Sequence, residues 1–256
     1  MPQLFKFTNG EAALFTHRSP NKATVNEDCM ALIPYDSSSG VLVIADGLGG
    51  QPNGETASTT AIQSIEKSLN HASKSGQPLR DAILNGIEKA NLSIINQAGG
   101  AATTLAVIEI QGNHVRPYHV GDSMVLVCGQ RGKIKLQSIA HSPVGYAVEA
   151  GVLDQDEAIH HEERHLISNV VGAEDMSIEI GSIRQLDTHD TVIVASDGLF
   201  DNLYIDEITE IIRKGSLEKT AHQLIELAQQ RMNTESSTLP CHPDDLTFIL
   251  FRHRKQ

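Results

Sequence analysis

The sequence predicts an α+β fold in which helices pack outside antiparallel sheets. Strand-like segments come first, followed by two helices, a block of strands, two more helices and a closing strand. Within the block, strand-like runs follow one another across short Gly-containing connections such as Gly112-Asn113, which favours hairpins and antiparallel pairing. The 256 residues, 40% of them apolar, can bury a sizeable core, and we expect residues 1–256 to form a single domain.

The first half of the chain predicts one buried strand and two amphipathic helices. Val41–Asp46 is a short β-branched run that ends in Asp-Gly, which is typical of a buried strand entering a loop. Apolar residues then recur at helical spacing over Thr56–Leu69 and over Leu79–Asn96. The two helices therefore follow the strand directly.

The second half predicts the strand block, a polar insertion and the closing elements. The strands of the block are Thr104–Ile110, Val115–Val120, Met124–Cys128 and Lys133–Ser138. His141–Asp175 is polar and weakly periodic, so we expect an irregular insertion there, which we call the flap segment. The closing elements are a buried strand at Thr191–Ala195, helices near Ile205–Lys214 and Leu217–Met232, and a strand at Leu246–Arg252.

Charge and cysteine usage narrow the classes of partner and compartment. The net charge of −12 disfavours nucleic acid and anionic membranes, because phosphate groups attract basic surfaces. The acidity either concentrates where the protein binds divalent cations or only increases solubility. The N-terminus lacks a basic region followed by an apolar run, and no stretch approaches the ~18 apolar residues of a membrane span. Cys29, Cys128 and Cys241 form no CxxC motif, so we expect reduced thiols and a cytoplasmic protein.

Acidic residues stand where predicted strands meet loops. The motifs are Asn26-Glu27-Asp28, Asp46-Gly47, Gly121-Asp122-Ser123, Ser196-Asp197-Gly198 and Asp244-Asp245. Carboxylates at strand ends can converge on one rim of a sheet, where their mutual repulsion favours a bound cation. Oxygen ligands of this kind suit Mg²⁺ or Mn²⁺. Each motif alone also fits a plain turn, and Glu55 fits a helix start.

Taken together, the motifs resemble those of the PPM family of metal-dependent Ser/Thr phosphatases, also called PP2C. The matching text is NED at 26–28, DGLGGQPNGETAS at 46–58, ATTLAV at 102–107, HVGDS at 119–123, SDGLFDNL at 196–203 and DDLT at 244–247. The order and spacing agree over nearly the whole chain, and the DGLGG form is that of bacterial-type members. The resemblance implies two central antiparallel sheets sandwiched between pairs of helices. It also implies a two-metal centre that activates water for direct attack on phosphorus.

The resemblance further implies a role for each matching acidic residue. Asp46 would bridge both metals, and the Gly47 carbonyl would bind the second one. Asp197 and Asp244 would bind the first one. We therefore expect catalysis to require Asp46, Asp197 and Asp244.

Other acidic residues would act around these ligands. Asp122, together with Asp197, resembles the site of a third, looser metal in bacterial-type members, and a turn residue is the alternative. Glu27 and Asp28 resemble acidic residues that hold metal-bound waters. Asp245 stands where the family usually has Asn, so we expect a neighbour of the site rather than a ligand.

One departure from the family concerns the substrate phosphate. Many members carry an Arg four residues before the acidic pair, where it grips the phosphate, and this chain has Ala23 at that position. Lys22, Arg18 or His17 can substitute for it, or each can be a solvated loop residue.

Other departures concern single positions near the motifs. Met124 replaces the Arg of the common GDSR text, and we expect it to pack in the core. Leu48 stands where many eukaryotic members have a His proposed as general acid, which leaves the proton donor unassigned. His161 aligns with a common flap histidine, with an exposed flap residue as the alternative. Asp201 is expected to cap the next helix.

These features predict a phosphatase that uses two or three Mg²⁺ or Mn²⁺ ions to hydrolyse phosphoserine and phosphothreonine in proteins. We expect a monomer that opposes a cognate Ser/Thr kinase. One alternative is a pseudophosphatase that binds phosphoproteins without turnover, which the missing Arg at Ala23 motivates. Another is a two-metal nuclease or phosphodiesterase, which the acidic balance disfavours.

Overall fold

Two antiparallel sheets of six strands each form the centre of the protein. This computed structural model describes residues 1–20, 22–48, 53–97, 99–234 and 238–253. The strands are β1 Gln3–Phe7, β2 Gly10–His17, β3 Asp28–Pro34, β4 Ser39–Asp46, β5 Leu105–Gln111, β6 His114–Val120, β7 Met124–Cys128, β8 Ile134–Gln137, β9 Glu179–Ile180, β10 Arg184–Gln185, β11 Thr191–Ala195 and β12 Leu246–His253. The helices are α1 Gly54–Ser75, α2 Leu79–Ile95, α3 Pro143–Glu149, α4 Gln155–Ala158, α5 Asp197–Phe200, α6 Ile205–Ile212 and α7 Leu217–Met232.

Neighbouring strands in both sheets run antiparallel. The first sheet has the order β1-β2-β12-β11-β7-β8, and the second has the order β10-β6-β5-β4-β3 with β9 beside β6. The hairpin of β5 and β6 turns at Gly112, whose φ of 60° lies in the left-handed region that glycine adopts without strain. The predicted hairpins form between β5 and β6 and between β7 and β8, whereas β6 and β7 belong to different sheets.

Two pairs of helices cover the outer faces of the sheets. Helices α1 and α2 pack on the second sheet through a core that includes Ile65 and Ile87. Helices α6 and α7 pack on the first sheet through a core that includes Leu224 and Ile193. A third core, which includes Ile44, fills the space between the sheets. The predicted α+β arrangement of two central sheets between helix pairs is confirmed.

Strand β4 shows why its sequence is a continuous apolar run. Val41, Val43 and Ala45 point toward the helices, whereas Leu42 and Ile44 point into the core between the sheets. Successive side chains of a strand face opposite sides, and both sides of β4 are covered. A strand buried on both faces needs apolar residues at every position, so it was readable from the sequence.

Five strands were missed by the sequence pattern, namely β1, β2, β3, β9 and β10. Most residues of β3 are only half-buried at the edge of the second sheet, which weakens the alternation. Strand β2 buries small side chains such as Ala12 and Ala13, and alanine has low strand propensity. Strands β9 and β10 have two residues each.

The helices differ from the prediction mainly at their ends. Helix α1 continues to Ser75, where Gly76 adopts the left-handed conformation and donates its N–H to the Ala72 carbonyl. Helix α6 ends at Ile212, two residues before the predicted Lys214. Within the described residues, no helix combines the length and apolarity that crossing a bilayer requires.

The flap segment contains two short helices within otherwise irregular backbone. Ser142 begins α3, and its Oγ accepts the N–H of Gly145 at 2.9 Å while Pro143 occupies the first helical position. Asp154 begins α4 in the same way, accepting the N–H of Asp156 at 2.9 Å. Helices this short leave little periodicity in the sequence.

Candidate metal centre

Five aspartates converge where strands of both sheets end. Asp28 opens β3 and lies opposite Asp46, which closes β4. Asp122 follows β6, Asp197 follows β11 and Asp244 precedes β12. The charge of Asp46 interacts with the charges of the other four. We call these five residues the carboxylate cluster.

Burial and mutual repulsion disfavour ionisation throughout the carboxylate cluster. Burial first, and then the neighbouring carboxylates, raise the pKa of Asp46 and of Asp197 well above the ordinary range. Burial likewise raises the pKa of Asp28 to about 7 and that of Asp122 to about 6. The pKa of Asp244 is also raised, again mainly by burial. Near neutral pH the cluster therefore needs a counter-charge, and a divalent cation supplies one.

Two buried oxygen atoms of the carboxylate cluster lack a hydrogen-bond donor among the described residues. They are Oδ1 of Asp28 and Oδ1 of Asp122, and both are buried. A buried acceptor without a donor is costly unless a water or an ion binds it. Carboxylate oxygens are the ligands that Mg²⁺ and Mn²⁺ prefer, so the donor set fits such ions.

Hydrogen bonds between the motifs fix the backbone of Asp46. The carbonyl of Asp46 accepts the hydroxyl of Thr103 at 2.7 Å and the N–H of Thr104 at 2.8 Å. The N–H of Asp46 donates to the Thr104 hydroxyl at 3.1 Å, and that hydroxyl also contacts Ser123 Oγ at 2.7 Å. The ATTLAV and HVGDS motifs thereby hold the aspartate in place.

Ser196 connects three further motifs. Its hydroxyl donates to Oδ2 of Asp28 at 2.8 Å, and its Oγ accepts the N–H of Thr247 at 3.2 Å. The first contact occupies Oδ2 of Asp28, whereas its buried Oδ1 has no donor within the described part of the chain. The serine thus orients a carboxylate, and it is not placed as a nucleophile by any elbow-like turn.

The loop after β4 packs tightly against the start of α1. A Cβ added to Gly47 would lie 2.2 Å from the Gly54 carbonyl oxygen, and one added to Gly54 would lie 2.6 Å from Oε1 of Glu27. The N–H of Gly47 also donates to the Glu27 carbonyl at 3.1 Å. Glu55 lies exposed in the first turn of α1, as a helix-start residue does. Gly49 and Gly50 of the same loop lie outside the described residues.

Asp245 is a neighbour of the carboxylate cluster that accepts three hydrogen bonds. It receives the N–H of Ser19, the N–H of Glu27 and the ammonium group of Lys22, each at 2.7 Å. The Lys22 ammonium also lies 2.8 Å from Oε2 of Glu27. Partial burial opposes the charge of Lys22, but its bonds to Asp245 and Glu27 raise its pKa overall. Lys22 is therefore engaged in ion pairs, and the alternative of a solvated loop residue is wrong for it.

Arg164 of the flap segment lies beside the cluster, and sequence reasoning missed it. Its Nε lies 3.4 Å from Oδ2 of Asp201, and its NH2 donates to Nδ1 of His242 at 2.6 Å. Burial and the charge of Asp122 raise the pKa of Asp201 to about 7, although Arg164 opposes the shift. Nothing in the weakly periodic flap sequence marks this arginine.

The expected helix cap at Asp201 is wrong. Asp201 ends α5, and α6 begins after Tyr204, whose N–H donates to the Glu207 carboxylate at 3.0 Å.

Met124 is partly buried against the core of the first sheet, as predicted.

The remaining candidates named from the sequence lie on loops or, for His17, at the end of β2. Arg18 is exposed and donates to the Thr24 carbonyl at 3.3 Å, while His17 contacts the carbonyl of Arg18. Ala23 is exposed. His161 accepts the N–H of Glu163 at 3.1 Å within the flap segment.

A second group with metal-ligand chemistry connects the flap segment to the turn before Asp122. Ligand atoms of His119, His141 and Glu179 lie within 4.8 Å of one another. Nδ1 of His141 accepts the N–H of Gly121 at 3.1 Å, so its Nε2 carries the proton and donates to Glu179 at 3.1 Å. Nε2 of His119 donates to a carbonyl at 2.8 Å. A metal here would displace both protons, so we assign this group to hydrogen bonding.

The chain matches proteins of one family in sequence and in structure. The family model for protein phosphatase 2C matches residues 17–237. The protein phosphatase PhpP of Streptococcus pneumoniae is 27% identical over 199 residues, which cover 75% of this chain and 80% of that protein. The serine/threonine phosphatase Stp1 from Staphylococcus aureus superposes with a TM-score of 0.80 at 26% identity, covering 97% of both chains. The catalytic domain of the serine/threonine protein phosphatase PstP in complex with two manganese ions superposes with a TM-score of 0.73 at 25% identity, covering 94% of this chain and 96% of that one. Because the family model spans most of its length, the chain belongs to the protein phosphatase 2C family.

Proposed function

We propose that this chain removes phosphate from phosphoserine and phosphothreonine in proteins, in a reaction that requires divalent cations. The convergence of five aspartates at one rim of the sheets carries the proposal. Relatives named as serine/threonine phosphatases support the reaction class. Water would be the nucleophile, because bound divalent cations can lower its pKa and present it to phosphorus.

Three aspartates of the cluster hold the two principal cations in this proposal. Asp46 would hold both cations, the Gly47 carbonyl would be a ligand of the second one, and Asp197 and Asp244 would be ligands of the first one. Divalent cations held there would supply the activation of a water for attack on phosphorus and the neutralisation of the phosphoryl oxygens. The central place of Asp46 among the other carboxylates supports its role.

Other residues act at the edge of this centre. Asp122, together with Asp197, offers oxygens to a third and looser cation. Glu27 and Asp28 accept hydrogen bonds from waters around the cations. The donor-free Oδ1 atoms of Asp28 and Asp122 support both assignments.

The cations and partners follow from the same chemistry. Mg²⁺ and Mn²⁺ both suit the donor set, and the PstP complex with two manganese ions supports two ions per chain. A phosphorylated protein is the substrate, and a cognate Ser/Thr kinase supplies it. We place this monomeric enzyme in the cytoplasm, where the unpaired Cys29, Cys128 and Cys241 suit a reducing environment.

The test is hydrolysis of a phosphothreonine peptide with Mn²⁺ or Mg²⁺, beside a phosphotyrosine peptide and a phosphodiester as controls. We expect turnover of the phosphothreonine peptide alone, its loss in EDTA and its return with added metal. Full activity in excess chelator would exclude the metal mechanism. Binding without turnover would favour the pseudophosphatase, and hydrolysis of the diester would favour the phosphodiesterase.

A further inference from the structure

A cavity of about 330 Å³ lies between the flap segment and the first sheet with its helices α5 and α6. The apolar side chains that line it include Met124, Val144, Val148, Ile159, Phe200 and Ile205, beside polar and charged residues. Its volume falls in the range of about 300–1,000 Å³ that is typical of ligand sites. The chain therefore leaves a partly apolar space of binding-site size unfilled by its own side chains.

The cavity adjoins the carboxylate cluster directly. Asp122 and Asp197 belong to the cluster and also line the cavity. Asp201, which does not belong to the cluster, lines the cavity as well. The phosphoryl group of a substrate must reach the cluster to be hydrolysed. Because an extended peptide advances about 3.3–3.6 Å per residue, residues next to the phosphorylated one lie within reach of the cavity.

The apolar part of the wall favours an apolar occupant. The side chains of Val144, Ile159 and Phe200 are buried, and Val148 is half-buried. An aliphatic side chain placed there would leave water without losing a hydrogen bond. Among the polar groups of the lining, Arg164 is paired with Asp201 and His242, whereas Oδ1 of Asp122 lies at the end nearest the carboxylate cluster and lacks a donor among the described residues. A polar side chain seated against the apolar part of the wall would lose its hydration there without gaining a hydrogen bond.

We propose that this cavity binds an aliphatic side chain of the phosphoprotein substrate, within about three residues of the phosphorylated residue. The inference rests on the proposed phosphatase function and adds a sequence preference to it. The flap segment supplies one wall through α3 and α4, and the body of the enzyme supplies the other.

The experiment compares phosphothreonine peptides in the Mn²⁺-loaded enzyme. The parent peptide has alanine at the three positions on each side of the phosphothreonine. Each variant peptide replaces one of these six alanines with leucine. We expect at least one leucine position to raise kcat/KM about tenfold, whereas asparagine at that position gives no gain. Each rate is divided by the same enzyme's rate on phenyl phosphate, which has no flanking residues.

Matched variants connect this preference to the cavity. Val148→Asp places a charge at its lining, and Val152→Asp makes the same change at a flap residue that is 81% exposed and does not line it. We expect the leucine preference to disappear in Val148→Asp and to persist in Val152→Asp. Ala158→Met, which fills the cavity without adding charge, should also abolish the preference, and it provides the test if Val148→Asp does not fold.

The outcomes separate this inference from the phosphatase function. Equal kcat/KM for all peptides, with metal-dependent turnover intact, would overturn the cavity proposal alone. A leucine preference that survives both Val148→Asp and Ala158→Met would also overturn it. Absence of turnover on every phosphomonoester would overturn both proposals together.

Discussion

At the scale of single residues, Lys22 forms an ion pair with Asp245 and does not take the place of the phosphate-binding arginine that the family has at position 23. The Lys22 ammonium contacts Asp245 and Glu27, so its charge is already compensated. It is therefore poorly suited to hold a substrate phosphate, and the exposed Ala23 beside it cannot do so.

We predict that Ala23→Arg lowers KM for a small phosphomonoester by about three- to tenfold, because a guanidinium adds a charge-assisted bond to phosphate. Steady-state kinetics on phenyl phosphate measure the change, with Ala23→Gln as the uncharged control. An unchanged KM, together with a raised KM in Arg164→Ala, would show that the flap arginine already holds the phosphate.

Asp245 lets the placement of the last metal ligand be tested against its neighbour. It accepts two backbone N–H groups and Lys22, whereas Asp244 belongs to the carboxylate cluster. We predict that Asp245→Asn reduces turnover by no more than roughly 10–100-fold, since it alters an outer contact only. Asp244→Asn should cost far more. If the two variants are equally damaging in kcat, the ligand has been placed one residue away from its true position.

At the scale of secondary-structure elements, the sequence predicted best those elements that are buried on both faces and those residues whose role shows in a local motif. Strand β4 is covered on both faces, so its continuous apolar run identified it, whereas the half-buried edge strand β3 left no clear alternation. The aspartates were readable because motifs at strand ends carry them. Arg164 was not, because its contacts with Asp201 and His242 join segments far apart in sequence.

Helix α5 depends on a glycine at its start. A Cβ added to Gly198 would lie 1.9 Å from the Asp245 carbonyl oxygen, which is a backbone atom that cannot turn aside. We predict that Gly198→Ala lowers the free energy of unfolding by about 1–3 kcal/mol and reduces turnover, because Asp197 and Asp244 shift apart. Gly129→Ala is the control, since the closest contact of its new Cβ would be the flexible end of Lys135 at 3.3 Å. Equal stability of the two variants in urea unfolding would refute the close approach.

At the scale of the whole molecule, the carboxylate cluster couples stability to pH and metal. Asp28 and Asp122 have folded-state pKa values of about 7 and about 6, above the ordinary unfolded value of about 3.9. Between these values the folded state binds more protons than the unfolded state. Stability of the metal-free protein must therefore fall as pH rises through this window.

We predict that the metal-free protein melts at a higher temperature at pH 5 than at pH 7.5, and that Mn²⁺ raises the melting temperature most at pH 7.5. Calorimetry in EDTA and in Mn²⁺ measures both. The net charge of −12 also makes the folded state less stable as pH rises. Asp28→Asn is therefore compared with Asp175→Asn, which removes the same charge at an exposed position. The pH dependence of the melting temperature should weaken in Asp28→Asn alone. Identical pH profiles for the two variants would argue against a raised pKa of Asp28 in the folded protein.

The most direct test of the two-cation site is Asp46→Asn, which keeps the shape of the side chain and removes its charge. We predict that kcat on a phosphothreonine peptide falls by more than the roughly 10–100-fold cost of altering an outer contact, and that calorimetry shows weakened Mn²⁺ binding. The metal-free melting temperature should equal or exceed that of the wild type, because repulsion within the cluster is relieved. Asp175→Asn, at an exposed flap position, should leave all three quantities unchanged. Near-normal turnover and Mn²⁺ binding in Asp46→Asn would contradict the assignment of the carboxylate cluster as the catalytic metal centre.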